Sequence, residues 1–118
     1  MSQHTCYLTL GSNVSAAYVR VARERLTRLF PGIRFGTEQQ TLPIGLRNPA
    51  PFTNQTACFE TILTPEEILP LLKHLEAAAG RTPAEKAREI IRLDIDLVCY
   101  DQQILRPENW ALFFAPQP

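Results

Sequence analysis

The sequence carries no excess of charge: 12 Lys and Arg residues balance 12 Asp and Glu residues. A neutral balance argues against a chain whose main task is coating nucleic acid or an anionic membrane surface, since both need a large cationic field. It leaves room for a small anionic ligand held by a few local cations. No apolar run approaches the ~20 residues of a membrane-spanning helix. Met1 to Leu10 lacks the basic segment, long apolar segment and small-residue cleavage site of a secretory signal. The three cysteines, Cys6, Cys58 and Cys99, are odd in number and have no CxxC spacing. That arrangement speaks against a disulfide scaffold or a zinc site. Each falls in a strand-like apolar run, where it acts as a small buried hydrophobe. A reducing cytoplasm is the expected location. The glycine-rich phosphate motifs are missing too, because Gly11-Ser12-Asn13 has neither the Walker spacing with lysine nor GxGxxG. The two histidines, His4 and His74, suggest no nucleophile, base and orienting group.

What is present fits one ordinary globular domain over residues 1–118, with 45% hydrophobic and 20% charged residues. Tyr7 to Leu10 is a short β-prone run ending at the Gly11-Ser12-Asn13 turn. Ser15 caps a helix whose apolar positions, Val19, Ala22, Leu26, Leu29 and Phe30, recur at helical spacing; Pro31-Gly32 ends it. Ile33 to Thr41 reads as a second strand, with Gly36 at a bulge. Leu42 to Pro51 is a proline-rich loop, and Phe52 to Leu63 a third strand. Thr64-Pro65-Glu66-Glu67 is a helix start with a capping box; the stripe Ile68, Leu71, Leu72, Leu75, Ala78 and Ala79 follows, and Gly80 closes it. In the charged stretch from Arg81 to Glu89, Pro83 counts against a helix. Ile90 to Tyr100 reads as a fourth strand, and the domain is expected to stop soon after it. The order β-α-β-β-α-β is that of the ferredoxin-like α+β fold, an antiparallel sheet with two helices on one face.

The sharpest chemical signal is Arg92-Leu93-Asp94-Ile95-Asp96-Leu97. Strand alternation sends Leu93, Ile95 and Leu97 one way and Arg92, Asp94 and Asp96 the other. Two carboxylates so placed repel each other, and a hard divalent cation relieves the repulsion; Mg²⁺ needs one or two carboxylates and takes waters and phosphate oxygens for the rest. A solvated strand face neutralised by Arg92 is the competing reading. Arg81, Lys86 and Arg88 form a basic patch where a polyphosphate on such a cation would extend. The loop Thr41-Leu42-Pro43-Ile44-Gly45 with Phe52-Thr53-Asn54 offers an apolar wall, one ring and one amide, enough to hold a flat heterocycle by stacking and paired hydrogen bonds. Core packing of Phe52 is the alternative there.

Four segments in order resemble those of the 6-hydroxymethyl-7,8-dihydropterin pyrophosphokinase family of folate biosynthesis. They are Tyr7 to Asn13, Thr41 to Gly45 with Phe52 to Asn54, Leu69 to Arg81, and Leu93 to Leu97. The resemblance implies a ferredoxin-like fold and transfer of pyrophosphate from ATP to the pterin hydroxymethyl group. It implies that Asp94 and Asp96 hold Mg²⁺, that Thr41, Pro43, Ile44, Phe52 and Asn54 line the pterin site, and that Glu76, Arg81 and Leu97 lie beside the nucleotide. Pterin and ATP are then the partners, without nucleic acid or membrane. The family's Trp-Gly-Pro-Arg stretch is replaced by Arg88-Glu89-Ile90-Ile91, so Arg81, Arg88 and Arg92 are the arginines left for catalysis. Trp110, Phe113 and Phe114 are the aromatics left for a lid. The alternative is a pterin- or nucleotide-binding module of the same fold without efficient catalysis; a third reading is a subunit that only pairs with a partner protein.

Overall fold

A computed structural model of the chain describes residues 2–43 and 45–114, and its sheet is built around the first strand. Strand β1 (His4–Ser12) pairs antiparallel with β4 (Phe52–Thr61) on one side and β5 (Asp94–Tyr100) on the other. Two short strands, β2 (Arg34–Phe35) and β3 (Gln39–Thr41), both pair with β4, and β6 (Gln103–Ile104) folds back on β5. The order β2-β4-β1-β5-β6, every neighbour antiparallel, bears out the ferredoxin-like expectation.

Helices α1 (Ala16–Leu29) and α2 (Pro65–Ala78) cover one face. Ser15 starts α1 by accepting from the Ala17 N–H, and Thr64 and Glu67 complete the expected capping box of α2. Val19, Ala22 and Leu26 of α1 and Ile68, Leu72 and Leu75 of α2 are buried against Cys6, Leu8 and Leu10 of β1, Ala57 and Phe59 of β4, and Ile95 and Leu97 of β5. Phe30 stacks on Phe59, with centroids 4.0 Å apart.

Four sequence readings are corrected. The second strand is interrupted rather than continuous. Gly36 still donates its N–H to the Thr56 carbonyl, but a Cβ there would lie 2.4 Å from Thr56 Oγ1, so the chain passes too close for a regular side chain and then leaves the ladder. Pro83 does not prevent a helix. It occupies the first position of α3 (Pro83–Ala87), where its missing N–H costs nothing, and Thr82 caps it by accepting from the Glu85 N–H. The fourth strand begins at Asp94, not Ile90, because Ile91 exchanges two hydrogen bonds with Asn13 and so leaves the ladder. Finally, β6, α4 (Pro107–Trp110) and a 3-10 turn (Ala111–Phe113) continue the fold beyond β5 and fold across the sheet face that α1 and α2 leave open. Asn109 donates to Thr9 there, and Tyr7 meets Trp110 and Phe113 edge-on, with centroids 5.1 and 5.5 Å apart.

Candidate functional site

Register places the chemistry on that second face. Gly11 is opposite Asn54 on β4 and Asp94 on β5, and Thr9 is opposite Asp96. An amide and two carboxylates thus flank a glycine on the middle strand. A Cβ on Gly11 would stand 3.0 Å from Asn54 Oδ1, so the Asn54 amide would have to move by a few tenths of an ångström to admit it.

A cavity of about 700 Å³ opens over this floor. Thr41, Leu42, Pro43, Leu46, Phe52 and Asn54 form one wall, Asn109 and Leu112 another, and Arg81, Lys86, Asp94, Asp96 and Arg106 close one end. Asn54 donates through Nδ2 to Thr41 Oγ1, which fixes its amide. A second cavity of about 460 Å³ runs along α2 and the β5 edge, lined by Leu69, Leu72, Lys73, Glu76 and Leu97. The two cavities share Arg81, Lys86, Asp94, Asp96 and Arg106. One cavity has an apolar wall that carries the Phe52 ring; the other lies beside α2; charged groups stand where they meet.

Those charges are ordered. The Arg81 guanidinium lies 3.1 Å from Asp94 Oδ1 and 3.3 Å from Glu76 Oε2. Glu76 Oε2 also accepts the Ile95 N–H at 2.8 Å, fastening α2 to the start of β5. Asp96 accepts from Asn109 Nδ2 at 3.1 Å and has Arg106 at 3.8 Å. Arg106 arrives there because a β-bulge between Tyr7 and Leu8 leaves Val98 unpaired with β1, and the Val98 carbonyl accepts the N–H groups of Leu105 and Arg106. Burial raises the Glu76 carboxyl to about 7, with Asp94 adding to the rise, and burial with the Asp94 charge raises Asp96 to about 6.

These shifts set a pH dependence. With both carboxyls raised by folding, these two groups bind more protons in the native chain than in the unfolded chain from about pH 4 to about pH 7. The stability they contribute is therefore fully present below that window and is lost as pH rises through it. Without divalent cations, the thermal midpoint should drop between about pH 4 and pH 7. Asp96→Asn should flatten the drop and exceed the parent at about pH 8 by on the order of 1–2 kcal/mol. Calorimetric melts across pH in a chelating buffer check this; parallel curves for the two proteins would refute it.

Of the residues anticipated from sequence, Thr41, Pro43, Phe52, Asn54, Arg81, Asp94 and Asp96 line the first cavity, and Glu76 and Leu97 the second. Ile44 lies outside the described residues. Arg88 is exposed at the end of α3, and neither cavity includes it. Arg92 does not share a face with the aspartates, because it precedes the strand; it bonds Glu85 and the Tyr18 hydroxyl instead. Trp110 and Phe113 pack on Tyr7, and the C-terminal segment lines the ring-sized cavity with Arg106, Glu108, Asn109 and Leu112. Sequence reasoning missed Arg106, Asn109 and Leu112. Pro107 at a helix start was the available signal, but one helical turn leaves no periodicity to read.

All donors at the shared wall that suit a metal are carboxylate oxygens. Among the described residues, no group of three or more His, Cys, Asp or Glu is arranged to hold a metal ion. Two carboxylates are what Mg²⁺ uses when substrate phosphates complete its shell, so Asp94 and Asp96 fit that ion. Among the described residues, no helix is long and apolar enough to cross a membrane.

Comparison with known proteins identifies the family. The family model for 7,8-dihydro-6-hydroxymethylpterin-pyrophosphokinase matches residues 7–118. A 2-amino-4-hydroxy-6-hydroxymethyldihydropteridine pyrophosphokinase of Aquifex aeolicus is 32% identical over 118 residues, covering 97% of this chain and 70% of that one. Proteins of the same name from Methylorubrum extorquens and Porphyromonas gingivalis are 34% and 26% identical, covering 90% and 95% of this chain and 69% and 86% of theirs.

Proposed function

Because the chain belongs to the 7,8-dihydro-6-hydroxymethylpterin-pyrophosphokinase family, we propose that it moves a pyrophosphoryl group from ATP to the hydroxymethyl oxygen of that reduced pterin. In the reaction the hydroxymethyl oxygen bonds the β-phosphorus, the bond from that phosphorus to the α-phosphate oxygen breaks, AMP leaves, and the hydroxyl proton is lost. The observation that carries the reading is the meeting of two unlike cavities at one wall of carboxylates and cations.

The first cavity suits the pterin. Phe52 stacks on the ring, Thr41 and Pro43 border it, and Asn54, fixed by Thr41, offers its amide to the ring edge. The second suits the nucleotide, with Leu97 and α2 beside the base and Glu76 and Arg81 on the way to the phosphates. Mg²⁺ held by Asp94 and Asp96 would neutralise charge on the triphosphate. Arg81, Lys86 and Arg106 supply fixed positive charge for the moving group. Arg81 already faces two carboxylates, so it stays ordered in the free protein and needs little rearrangement to meet phosphate oxygens. The shared wall brings the two substrates into line, which is most of what phosphoryl transfer requires. An ATP-dependent step and three free cysteines both suit the cytoplasm.

Gly11→Ala tests the ring cavity. Its methyl group meets Asn54 and Phe52, so pterin affinity should fall about tenfold or more, the scale of one displaced hydrogen-bonding group. ATP affinity should stay level. Titration calorimetry with each substrate separates the two; equal weakening of both would count against the assignment.

The deciding experiment mixes the protein with ATP, Mg²⁺ and the reduced pterin. AMP should form in step with pterin consumption and stop on chelation. A binding-module reading is favoured by Arg88 standing exposed and Arg92 being engaged by Glu85 and Tyr18. Pterin binding without AMP formation would establish that reading instead.

A further inference from the structure

We propose that Glu89 is a positioning residue that holds the wall of the ring cavity in place, an inference that rests on the pterin reading above. The cavity residues Leu42, Pro43 and Leu46 belong to the stretch between β3 and β4, whose described residues have no ladder of their own. Among the described residues, the hydrogen bonds joining that stretch to the rest of the fold all end on Glu89. Its Oε1 accepts the N–H groups of Arg47 at 2.7 Å and Asn48 at 2.8 Å. Its backbone carbonyl accepts from the Asn48 amide at 3.1 Å. The other bond, from Ala50 N to Asn48 Oδ1, stays within the stretch. Two neighbouring backbone N–H groups on one carboxylate oxygen make a charge-assisted anchor immediately after Leu46 in the chain.

Glu89 is itself held firmly. Its φ is 59°, a left-handed conformation unfavourable for a residue with a Cβ, so the surroundings must impose it. Asn13 does so: its Nδ2 donates to the Glu89 carbonyl at 2.7 Å, and its Oδ1 accepts from Ile91 N at 2.7 Å. One side chain of the β1–α1 turn thus clamps the segment that carries Glu89, and Glu89 clamps the cavity wall. Lys86, three residues earlier, lies at the shared charged wall. Glu89 therefore ties the ring-binding stretch to the segment that carries a phosphate-side cation.

The test compares the parent protein with Glu89→Ala and Glu89→Gln in two measurements. The first needs no substrate: amide hydrogen exchange at Arg47 and Asn48. Glu89→Ala should speed it by about tenfold or more, the loss of a hydrogen bond to a charged group, while the core strands stay protected. The second is steady-state kinetics. Glu89→Ala should raise KM for the pterin by about tenfold while leaving KM for ATP and kcat within about threefold. A general loss of folded protein would lower kcat and leave the pterin KM alone. Glu89→Gln keeps an acceptor oxygen and should restore both readouts to within about threefold of the parent. Unchanged exchange at Arg47 and Asn48 in Glu89→Ala overturns the anchor, and so does a Gln variant as impaired as Ala. If the parent protein binds no pterin, the proposed function fails on its own, and the exchange measurement still decides whether Glu89 holds the stretch.

Discussion

Asp96→Ala should lower the rate of AMP release by about 10²–10³-fold, the loss that follows removal of one group organising charge in a transfer site. The side chain lies on the wall between the cavities and is 19% exposed. Asn109 and Arg106 hold its two oxygens from the C-terminal side, and Thr9 receives the other hydrogen of the same Asn109 amide. Alanine removes one of the two carboxylates proposed to hold Mg²⁺ and takes the Asp96 carboxylate away from Arg106. Asp96→Asn separates charge from shape, since it keeps the volume and loses the anion. Asn should be nearly as slow as Ala, with normal folding and a normal pterin affinity by calorimetry. Loss in the Asp94→Ala, Asp96→Ala double variant should fall well short of the product of the single losses, because the two acids act as a unit. More than about a tenth of parental turnover in Asp96→Ala would remove the carboxylate pair from the mechanism.

The second large effect belongs to Arg81. Among the described residues, it alone bridges Glu76 and Asp94, and it faces both cavities. Arg81→Met keeps the aliphatic stem and deletes the charge. Turnover should fall about 10²-fold, because a fixed cation at the transferring group is lost. The same change removes the positive charge that holds the Glu76 carboxyl down against burial, so Glu76 takes up its proton at still higher pH. The acid limb of the pH–rate profile should move in the same direction if ionised Glu76 is needed. Arg81→Lys should recover only part of the rate, since lysine offers a point charge and not a fork able to engage Glu76 and Asp94 together. A Met variant with parental kinetics would show that Arg81 serves the fold only.

The legible parts of this molecule are those where local chemistry and tertiary packing agree. Thr64 to Glu67 spells a helix start that nothing else opposes. The alternation of Ile95 and Leu97 with Asp94 and Asp96 shows which face is buried, so the acid pair was visible as a pair. Phe52 and Asn54 are legible as a ring and an amide following an apolar loop. Alternation places Arg92 on the wrong face because it does not hold before the true start of β5. The cause lies far away in sequence, in Asn13 bonding Ile91 and Glu89. Arg106 and Asn109 could not be found, since what brings them to Asp96 is a carbonyl freed by a bulge, and a backbone group has no letter in the sequence. The interruption of the second strand depends on the nearness of Thr56 to Gly36, again a fact about two distant segments.

The central position of β1 has a consequence for how activity is acquired. Both of its partners lie far along the chain: Gly11 meets Asn54 and Asp94. A ribosome releases β1 first, and its apolar face waits for two strands still to be made. Pairings this distant in sequence form late, because closing long loops costs entropy before any contact repays it. The floor of the site is therefore assembled by the same event that completes the sheet. Partly folded forms of this chain should be catalytically silent, and recovery of turnover during refolding should coincide with the last, slowest gain of structure.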